Sequence, residues 1–394
     1  MNYNKDMKNA VYLDHAAATP MDDKVLAAMA PFYQTKFHNP SSVYLASRAV
    51  KDDLTQARAD VAHWLGARPS EITFTAGATE ANNIAIRGLM SEKSHLACSA
   101  IEHDAVLKPA AKYEHSIVRV DSKGLVSADD LRAAIKPNTV LVSVIYANNE
   151  IGTVQHLAEL AKVILETRQQ RKADHNQAPI YLHTDASQAP NYLDLHVDKL
   201  GVDLMTINAG KIYGPKHVGA LYVRAGIELT PLQLGGGQEH GLRSGTENVA
   251  GAVGLATALA LVQKSRKDEI IRLQELTTKL QTGLAAGVEG IEFLGHRKHR
   301  LPNLVSILCP GVDGERVVMM LDEAGIQVAT GSACSAMSDD VSHVIKAIGR
   351  SDAEAASTLR ISMGRGTSED DISYLIEQLP EVIKQARDIA TKHN

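Results

Sequence analysis

Polar side chains capable of acid–base chemistry stand directly after several strand-like runs of this sequence. Asp185 and Gln188 follow one run, His103 follows another, and Lys211 lies in a tight connection between two more. Carboxylate and imidazole groups hold and transfer protons. A lysine amine with a lowered pKa forms imines with carbonyl compounds. These residue types therefore predict proton transfer and imine formation, provided that one site brings them together.

A short turn of small residues, Ala76-Gly77-Ala78-Thr79-Glu80, leads from a strand-like run into a helix-like segment. Such a turn offers backbone N–H groups to a phosphate, and the Thr79 hydroxyl is a further donor. Each polar residue also has an ordinary alternative as a cap, a turn residue or a solvated lysine. Their occurrence at successive strand ends favours one shared site, because open parallel sheets bind ligands beyond the carboxyl ends of their strands.

The elements that would position these residues follow an α/β pattern. Seven β-branched runs alternate with helix-like segments between about residues 50 and 225, which predicts a mainly parallel sheet. Residues 209–218 are too few for a crossover helix, so the last two runs are predicted to form an antiparallel hairpin. An apolar helix at 249–262 and a charged helix at 267–285 are predicted to lead into a smaller α/β domain. The seven runs are residues 72–76, 95–100, 117–120, 140–147, 180–184, 204–208 and 219–223.

Composition limits the possible classes of protein. The 394 residues are 44% hydrophobic and 22% charged with a net charge of −5, which gives no indication of direct nucleic-acid binding. The longest apolar run, 249–262, is shorter than the ~18 residues that a membrane span requires, so no membrane partner is expected. The polar first residues lack an apolar signal-peptide core, and a cytoplasmic location is expected. The three cysteines are far apart and lack the paired spacing of a zinc site, so no metal site is predicted.

The three cysteines stand in two different settings. Cys98 and Cys309 lie in apolar runs and are predicted to be buried strand residues that act as small hydrophobic side chains. Cys334 stands in Gly331-Ser-Ala-Cys-Ser-Ala-Met-Ser-Asp-Asp, a small and polar stretch typical of a loop. Only Cys334 is therefore a candidate for chemistry.

Ordered motifs along nearly the whole chain make this sequence resemble the NifS/IscS-type cysteine desulfurases of the class V aminotransferase group. These are fold type I enzymes that use pyridoxal 5'-phosphate. The resemblance implies a large cofactor-binding domain at 20–260, with a mixed, mainly parallel seven-stranded sheet, and a smaller α/β domain formed by 1–19 and 261–394. The motifs are Tyr12-Leu-Asp-His-Ala-Ala-Ala-Thr-Pro20, Asn39-Pro-Ser-Ser42, Thr75-Ala-Gly-Ala-Thr-Glu80, Glu102-His103, Asn148-Asn-Glu-Ile-Gly152, His183-Thr-Asp-Ala-Ser-Gln188, Lys211-Ile-Tyr-Gly-Pro-Lys216, Arg243-Ser-Gly-Thr246, Gly331-Ser-Ala-Cys334 and Leu359-Arg-Ile-Ser362.

The resemblance implies a role for each residue around the cofactor ring. Lys211 corresponds to the Schiff-base lysine, and Asp185 to the carboxylate that keeps the pyridine nitrogen protonated, which lets the ring act as an electron sink. His103 corresponds to the imidazole stacked on the ring and is a candidate acid–base group. Gln188 should contact the ring oxygen, and Asn149 should lie near the ring and the substrate.

The resemblance also implies phosphate and substrate ligands. Ala78, Thr79 and Asn208 should hold the phosphate, and Thr246 should reach it from a second subunit, so a homodimer is expected. Arg360 corresponds to the arginine that binds the substrate carboxylate, since guanidinium donors match two oxygens at once.

Cys334 corresponds to the sulfur acceptor that separates a desulfurase from an aminotransferase. The implied reaction converts L-cysteine to L-alanine. Lys211 would remove the α-proton and the Cys334 thiolate would attack the substrate sulfur, which forms a persulfide. The attack requires a thiolate, and His103 is the candidate proton acceptor. A protein of unidentified kind would then take the sulfur for iron–sulfur cluster, thio-cofactor or tRNA pathways.

The chain departs from the family pattern at a few positions. Gly210 replaces the histidine usual before the Schiff-base lysine, and Asn208 replaces a usual serine, so an altered cofactor affinity with retained chemistry is expected. Leu45 and Ser47 also differ from the usual residues, and no role is assigned to them. Another class V enzyme, either an aminotransferase or a selenocysteine lyase, and a catalytically silent scaffold remain alternatives. A nicotinamide site at 235–237 is disfavoured because the dinucleotide fingerprint is missing.

Overall fold

The computed structural model describes residues 10–331 and 341–392 of the chain. Its strands are β1 Val11–Tyr12, β2 Ile72–Thr75, β3 His95–Ser99, β4 Glu114–Val118, β5 Thr139–Ser143, β6 Tyr181–Asp185, β7 Leu204–Asn208, β8 Gly219–Val223, β9 Glu292–Phe293, β10 Leu304–Leu308, β11 Ile326–Gln327, β12 Ala329–Thr330 and β13 Thr358–Ser362. Its α-helices are α1 Asp23–Met29, α2 Pro31–Gln34, α3 Leu45–Leu65, α4 Ala78–Leu89, α5 Asp104–Ala110, α6 Ala128–Ala134, α7 Leu157–Ala173, α8 Val197–Leu200, α9 Val249–Gly287, α10 Gly314–Glu323, α11 His343–Ala347, α12 Asp352–Ala356 and α13 Glu369–Lys392.

The predicted seven strands form one mixed sheet in the order β2-β8-β7-β6-β5-β3-β4. Neighbours from β7 through β6, β5 and β3 to β4 are parallel, and β8 pairs antiparallel with both β7 and β2. The mainly parallel sheet and the terminal hairpin are therefore confirmed. The run 140–147 was too long as a strand, since β5 ends at Ser143. Beyond it, Val144 and Tyr146 donate singly to carbonyls of β6.

Helices cover both faces of this sheet. Leu96 and Cys98 of β3 pack in the cluster that contains α4 and α5, whereas Ala97 between them packs in the cluster of α3, α7 and the first half of α9. Because successive side chains of a strand point to opposite faces, β-branched and apolar runs without polar alternation suit a strand buried on both sides. Cys98 is fully buried, as predicted.

A second core surrounds a smaller sheet of order β12-β13-β10-β9, whose strands pair antiparallel. Helices α10, α13 and the second half of α9 supply its apolar side chains. Cys309 lies in it fully buried, as predicted, but it follows the end of β10 and is not a strand residue. β1 pairs parallel with β11 and so attaches the N-terminal segment to this core. The division at residues 19 and 260 stays a prediction.

The two helices predicted at 249–262 and 267–285 are one continuous helix, α9. The sequence between them, Gln263-Lys-Ser-Arg266, contains neither proline nor glycine, so nothing interrupts the backbone hydrogen bonds. The change from apolar to charged residues marks a change of surroundings along this helix. Leu259 packs in the large core, whereas Leu280 packs in the smaller one. Among the described residues, no helix is long and apolar enough to cross a membrane.

Candidate active site

A cavity of about 240 Å³ opens at the carboxyl ends of the central strands. It collects most of the residues selected from the sequence. Thr246 is exposed at the surface of the chain and does not line this cavity. Cys334 lies outside the described residues. The predicted residues that line the cavity are Ala78, Thr79, His103, Asn149, Asp185, Gln188, Asn208, Lys211 and Arg360.

Asp185 is the last residue of β6, and the residue is 4% exposed. Ser187 donates to Oδ1 through its backbone N at 2.9 Å and through Oγ at 2.5 Å. Asn82 donates from Nδ2 to Oδ2 at 2.7 Å. These three hydrogen bonds therefore fix the direction of the Asp185 carboxylate. A buried carboxylate with a fixed direction is suited to accept a hydrogen bond from an N–H group of a bound ligand.

Asn82 was missed by the sequence reasoning. It lies in α4 and is fully buried, with buried Ala81, Ile84 and Ala85 around it on the same helix. A polar residue within the apolar face of an amphipathic helix is the signal that could have identified it. Its own Oδ1 has no hydrogen-bond partner among the described residues.

Lys211 ends the 3₁₀ turn Ala209–Lys211 that follows β7. Its Nζ donates to the carbonyl oxygen of Ala17, and its own carbonyl accepts from Asn191 Nδ2 at 2.7 Å. Gln188 Nε2 donates to the carbonyl of Ala16 at 2.9 Å. The segment 16–17 therefore forms a wall of the cavity opposite the strand ends.

The backbone before Lys211 is held by Asn208, whose Oδ1 accepts from Gly210 N at 3.0 Å. A Cβ built on Gly210 would lie 3.3 Å from Lys216 Cδ and 3.4 Å from Asn208 Oδ1. The space beside Gly210 is thus already partly occupied by these two side chains. The amide Nδ2 of Asn208 is the group that could serve as the predicted phosphate donor.

The turn between β2 and α4 has the form of an anion cradle. Its N-cap residue, Gly77, has φ 105° and lacks a side chain that could cap the first turn of α4. Ala78 and Thr79 begin the helix and line the cavity, so the first N–H groups of α4 lie at the cavity end of the helix. A Cβ on Gly219 would lie 2.8 Å from the Gly77 carbonyl carbon, so β8 can pack this closely against the turn only with glycine at position 219. Glu80 accepts the N–H of Ala76, which closes the turn.

His103 is the N-cap of α5, and its Nδ1 accepts from Ala105 N at 3.0 Å. The proton of the neutral imidazole therefore sits on Nε2. The preceding residue, Glu102, is fully buried, and burial raises the pKa of its carboxyl to about 8. Glu102 Oε1 accepts from Ser99 Oγ at 2.6 Å and from Ile145 N at 2.5 Å. A buried acid with a raised pKa thus directly precedes His103, and this pKa could not be predicted from the sequence.

Arg360 of β13 brings a guanidinium to the cavity from the smaller core, and the residue is only 2% exposed. Its Nη1 donates to the carbonyl of Asn149 at 3.3 Å, and its Nη2 forms an ion pair with Asp14 Oδ1 at 2.7 Å. The structure therefore brings together Asn149 and Arg360, the two residues selected for substrate binding. Asp14 was not selected, although it stands in the first motif.

Comparison with known proteins gives consistent matches over the whole chain. The aminotransferase class-V family model matches residues 11–375. The cysteine desulfurase IscS of Dictyoglomus turgidum is 40% identical over 393 residues, which cover 98% of this chain and 97% of that protein. Cysteine desulfurase IscS 1 of Archaeoglobus fulgidus is 38% identical over 388 residues, which cover 96% and 98%.

Solved structures agree with these matches. A NifS-like protein superposes with a TM-score of 0.87 at 32% identity and covers 95% of this chain and 100% of its own. A structure described as SspA in complex with cysteine has a TM-score of 0.74 at 36% identity and covers 89% and 98%. The chain therefore has the fold of the NifS-like proteins and belongs to the class V aminotransferase family, within its cysteine desulfurases of NifS/IscS type.

Proposed function

We propose that this chain is a pyridoxal-phosphate-dependent cysteine desulfurase that converts L-cysteine to L-alanine and transfers the sulfur to Cys334 as a persulfide. One observation carries the proposal: a single cavity gathers an amine, a buried carboxylate, an imidazole and a guanidinium, on Lys211, Asp185, His103 and Arg360. The relatives named cysteine desulfurase support the choice of substrate.

The donors and acceptors of the cavity fit pyridoxal phosphate. Asp185 presents an oriented carboxylate to a ring N–H, the uncapped start of α4 with Thr79 suits a phosphate, and the Lys211 amine suits an aldehyde. When bound, the cofactor supplies an electron sink for the charge that develops at the substrate Cα. The remaining steps fall to side chains of this chain.

Each of these side chains has a separate task. Arg360 binds the substrate carboxylate, and Lys211 Nζ takes the proton from Cα and returns a proton to Cα before alanine leaves. The Cys334 thiolate attacks the substrate sulfur, so an S–S bond forms and the Cβ–S bond breaks. The electron pair of the broken bond is protonated at Cβ, which becomes the methyl group of alanine. His103 is the candidate group for the proton exchanged with the thiol; because its Nε2 carries a proton while Nδ1 accepts from Ala105 N, Nε2 can take the thiol proton only after it has given its own away.

A homodimer is part of the proposal, with Thr246 of one subunit serving the phosphate of the other. Arg243, in the same segment as Thr246, forms an ion pair at 3.1 Å with Glu80 of the turn between β2 and α4 in its own chain, which holds this segment at the edge of the site. Thr246 itself is exposed and does not line the cavity of its own chain, so its hydroxyl is accessible to a second subunit. Large apolar side chains are exposed near the start of the chain, as is typical of a subunit contact. They are Leu26, Tyr33, Phe37, Val43, Tyr44 and Leu45.

Incubation of the cofactor-loaded protein with L-cysteine and a thiol reductant tests this function. A desulfurase releases sulfide and alanine in equal amounts without any added keto acid. An aminotransferase requires a keto acid and releases no sulfide, and a selenocysteine lyase releases alanine from L-selenocysteine but not from L-cysteine. A silent scaffold forms no product and lacks the visible absorption of the bound cofactor. Any of these three outcomes overturns the proposal.

A further inference from the structure

The guanidinium assigned to the substrate carboxylate already has a carboxylate partner within the chain. Arg360 Nη2 lies 2.7 Å from Asp14 Oδ1, and the side chains are 3% and 19% exposed, respectively. Asp14 forms a parallel bridge with Ser362, two residues beyond Arg360 on the same strand. Backbone pairing therefore fixes Asp14 beside the guanidinium, independently of the ion pair itself.

Asp14 engages this guanidinium only in part. The contact uses one carboxylate oxygen and one nitrogen, and Nη1 makes a single 3.3 Å bond to Asn149 O. The buried Nε of Arg360 has no hydrogen-bond partner among the described residues. A guanidinium carries five N–H donors, so donors remain for a second carboxylate. Asp14 and a substrate carboxylate can therefore share one cation.

Two carboxylates on one guanidinium repel each other. The repulsion is strong because Arg360 is nearly buried, and it is reduced in part by solvent at Asp14. The same negative charge also stabilises the buried guanidinium while no substrate is bound, since a buried charge without a partner is costly. Asp14 thus favours the empty site over every state in which a carboxylate occupies it.

We propose that Asp14 is a positioning residue of the substrate site, which orients Arg360 and lowers the affinity of that site for the carboxylates of substrate and product. This inference rests on the proposed function, because it concerns the binding of L-cysteine and L-alanine. Its consequence is faster release of alanine, which carries the same carboxylate as the substrate.

The test uses the cofactor-loaded protein and two matched substitutions, Asp14→Asn and Asp22→Asn. Asp22 pairs with Arg365 at 2.9 Å, is 22% exposed and does not line the cavity, so its side chain matches that of Asp14 in type of contact and exposure, with a more exposed arginine as its partner. Asparagine keeps an oxygen acceptor at both positions and removes the charge. It also retains the cap that Asp22 provides to α1, because asparagine is a good N-cap residue.

Three quantities are measured for each variant. Calorimetric titration gives the Kd of L-alanine, and steady-state kinetics give KM and kcat for L-cysteine. Asp14→Asn should lower both Kd and KM by roughly tenfold, which corresponds to one charge repulsion of this kind. The value of kcat should stay the same or fall as alanine leaves more slowly, and Asp22→Asn should match the wild type. Asp14→Ala also removes the oriented acceptor, so it should bind alanine more weakly than Asp14→Asn.

Two results would overturn the inference: an alanine Kd of Asp14→Asn equal to that of Asp22→Asn, or one that is raised above the wild-type value. The second result would make Asp14 a simple support for Arg360. Failure of the proposed function looks different, since the wild-type protein itself would then release no sulfide and no alanine from L-cysteine.

Discussion

Asn82 offers the sharpest test of how the cavity orients its central carboxylate. Its Nδ2 donates to Asp185 Oδ2 at 2.7 Å, and both side chains are buried. A hydrogen bond to a charged group contributes about 1.5–3 kcal/mol. Asn82→Ala removes this donor and leaves the two bonds from Ser187 in place. The carboxylate should therefore remain in position while its charged form loses about that amount of stabilisation.

The expected result is a fall in kcat for L-cysteine of roughly 10-fold to 150-fold, if the whole loss of stabilisation raises the free-energy barrier of the rate-limiting step. Asn303→Ala is the matched control. Asn303 is also buried, donates from Nδ2 to a single carbonyl at 3.0 Å and has an Oδ1 without a hydrogen-bond partner among the described residues, yet it does not line the cavity. Both variants should lose thermal stability, and only Asn82→Ala should lose kcat. Equal kcat values in the two variants would refute the role of Asn82.

Further predictions concern buried groups around the cavity. Burial raises the pKa of Glu102 from 4.5 to about 8. Between these two pH values the folded chain keeps a proton that the unfolded chain releases. The free energy of unfolding should therefore fall as pH rises through this range, by up to about 1.4 kcal/mol per pH unit. In Glu102→Gln, the free energy of unfolding measured with denaturant should depend less steeply on pH than in the wild type. An unchanged slope of this free energy against pH would contradict the raised pKa of Glu102. Burial lowers the pKa of His15 from 6.5 to about 4, so the free energy of unfolding should fall as pH decreases from 6.5 to about 4. His15→Gln should make this dependence on pH less steep. A Cβ on Gly364 would overlap His15 Nδ1, so Gly364→Ala should lower the free energy of unfolding by about 1–3 kcal/mol. The double variant Gly364→Ala with His15→Ala should regain part of this stability, which thermal melts of both variants would measure.

The sequence identified the residues whose position follows from one local rule. Asp185, His103 and Asn149 come directly after strand-like runs, and parallel strands bring such positions to one edge of a sheet. No local rule assigned the individual roles, and Lys211 taken alone is an ordinary turn lysine. Those roles came from the family motifs and stay predictions, and the structure shows that Lys211 and Asp185 line the same cavity.

Contacts between distant parts of the chain could not be predicted. Asn82 and Asp185 are 103 positions apart, and Asp14 and Arg360 are 346 apart, so each pair depends on how helices and strands pack in three dimensions. The single helix α9 was mistaken for two because a change of composition resembles a boundary. Helices are broken most readily at glycine or proline, and neither stands between 262 and 267. Ser265 could cap a helix, but its hydroxyl donates to the carbonyl of Leu261 within α9 at 3.1 Å.

Cys334 is the residue on which the proposed reaction depends most. Cys98 and Cys309 provide internal controls, because burial raises the pKa of each thiol to about 12 and leaves almost no thiolate near neutral pH. Neither should therefore accept sulfur from the substrate.

The most direct measurement is the intact mass of the cofactor-loaded protein after a short exposure to L-cysteine without reductant, followed by peptide mapping. The wild-type chain should gain one sulfur atom on Cys334 and release one alanine for each sulfur gained. Cys334→Ser should gain none and release no alanine beyond background. Retention of the sulfur gain in Cys334→Ser, or its location on Cys98 or Cys309, would contradict sulfur transfer through Cys334.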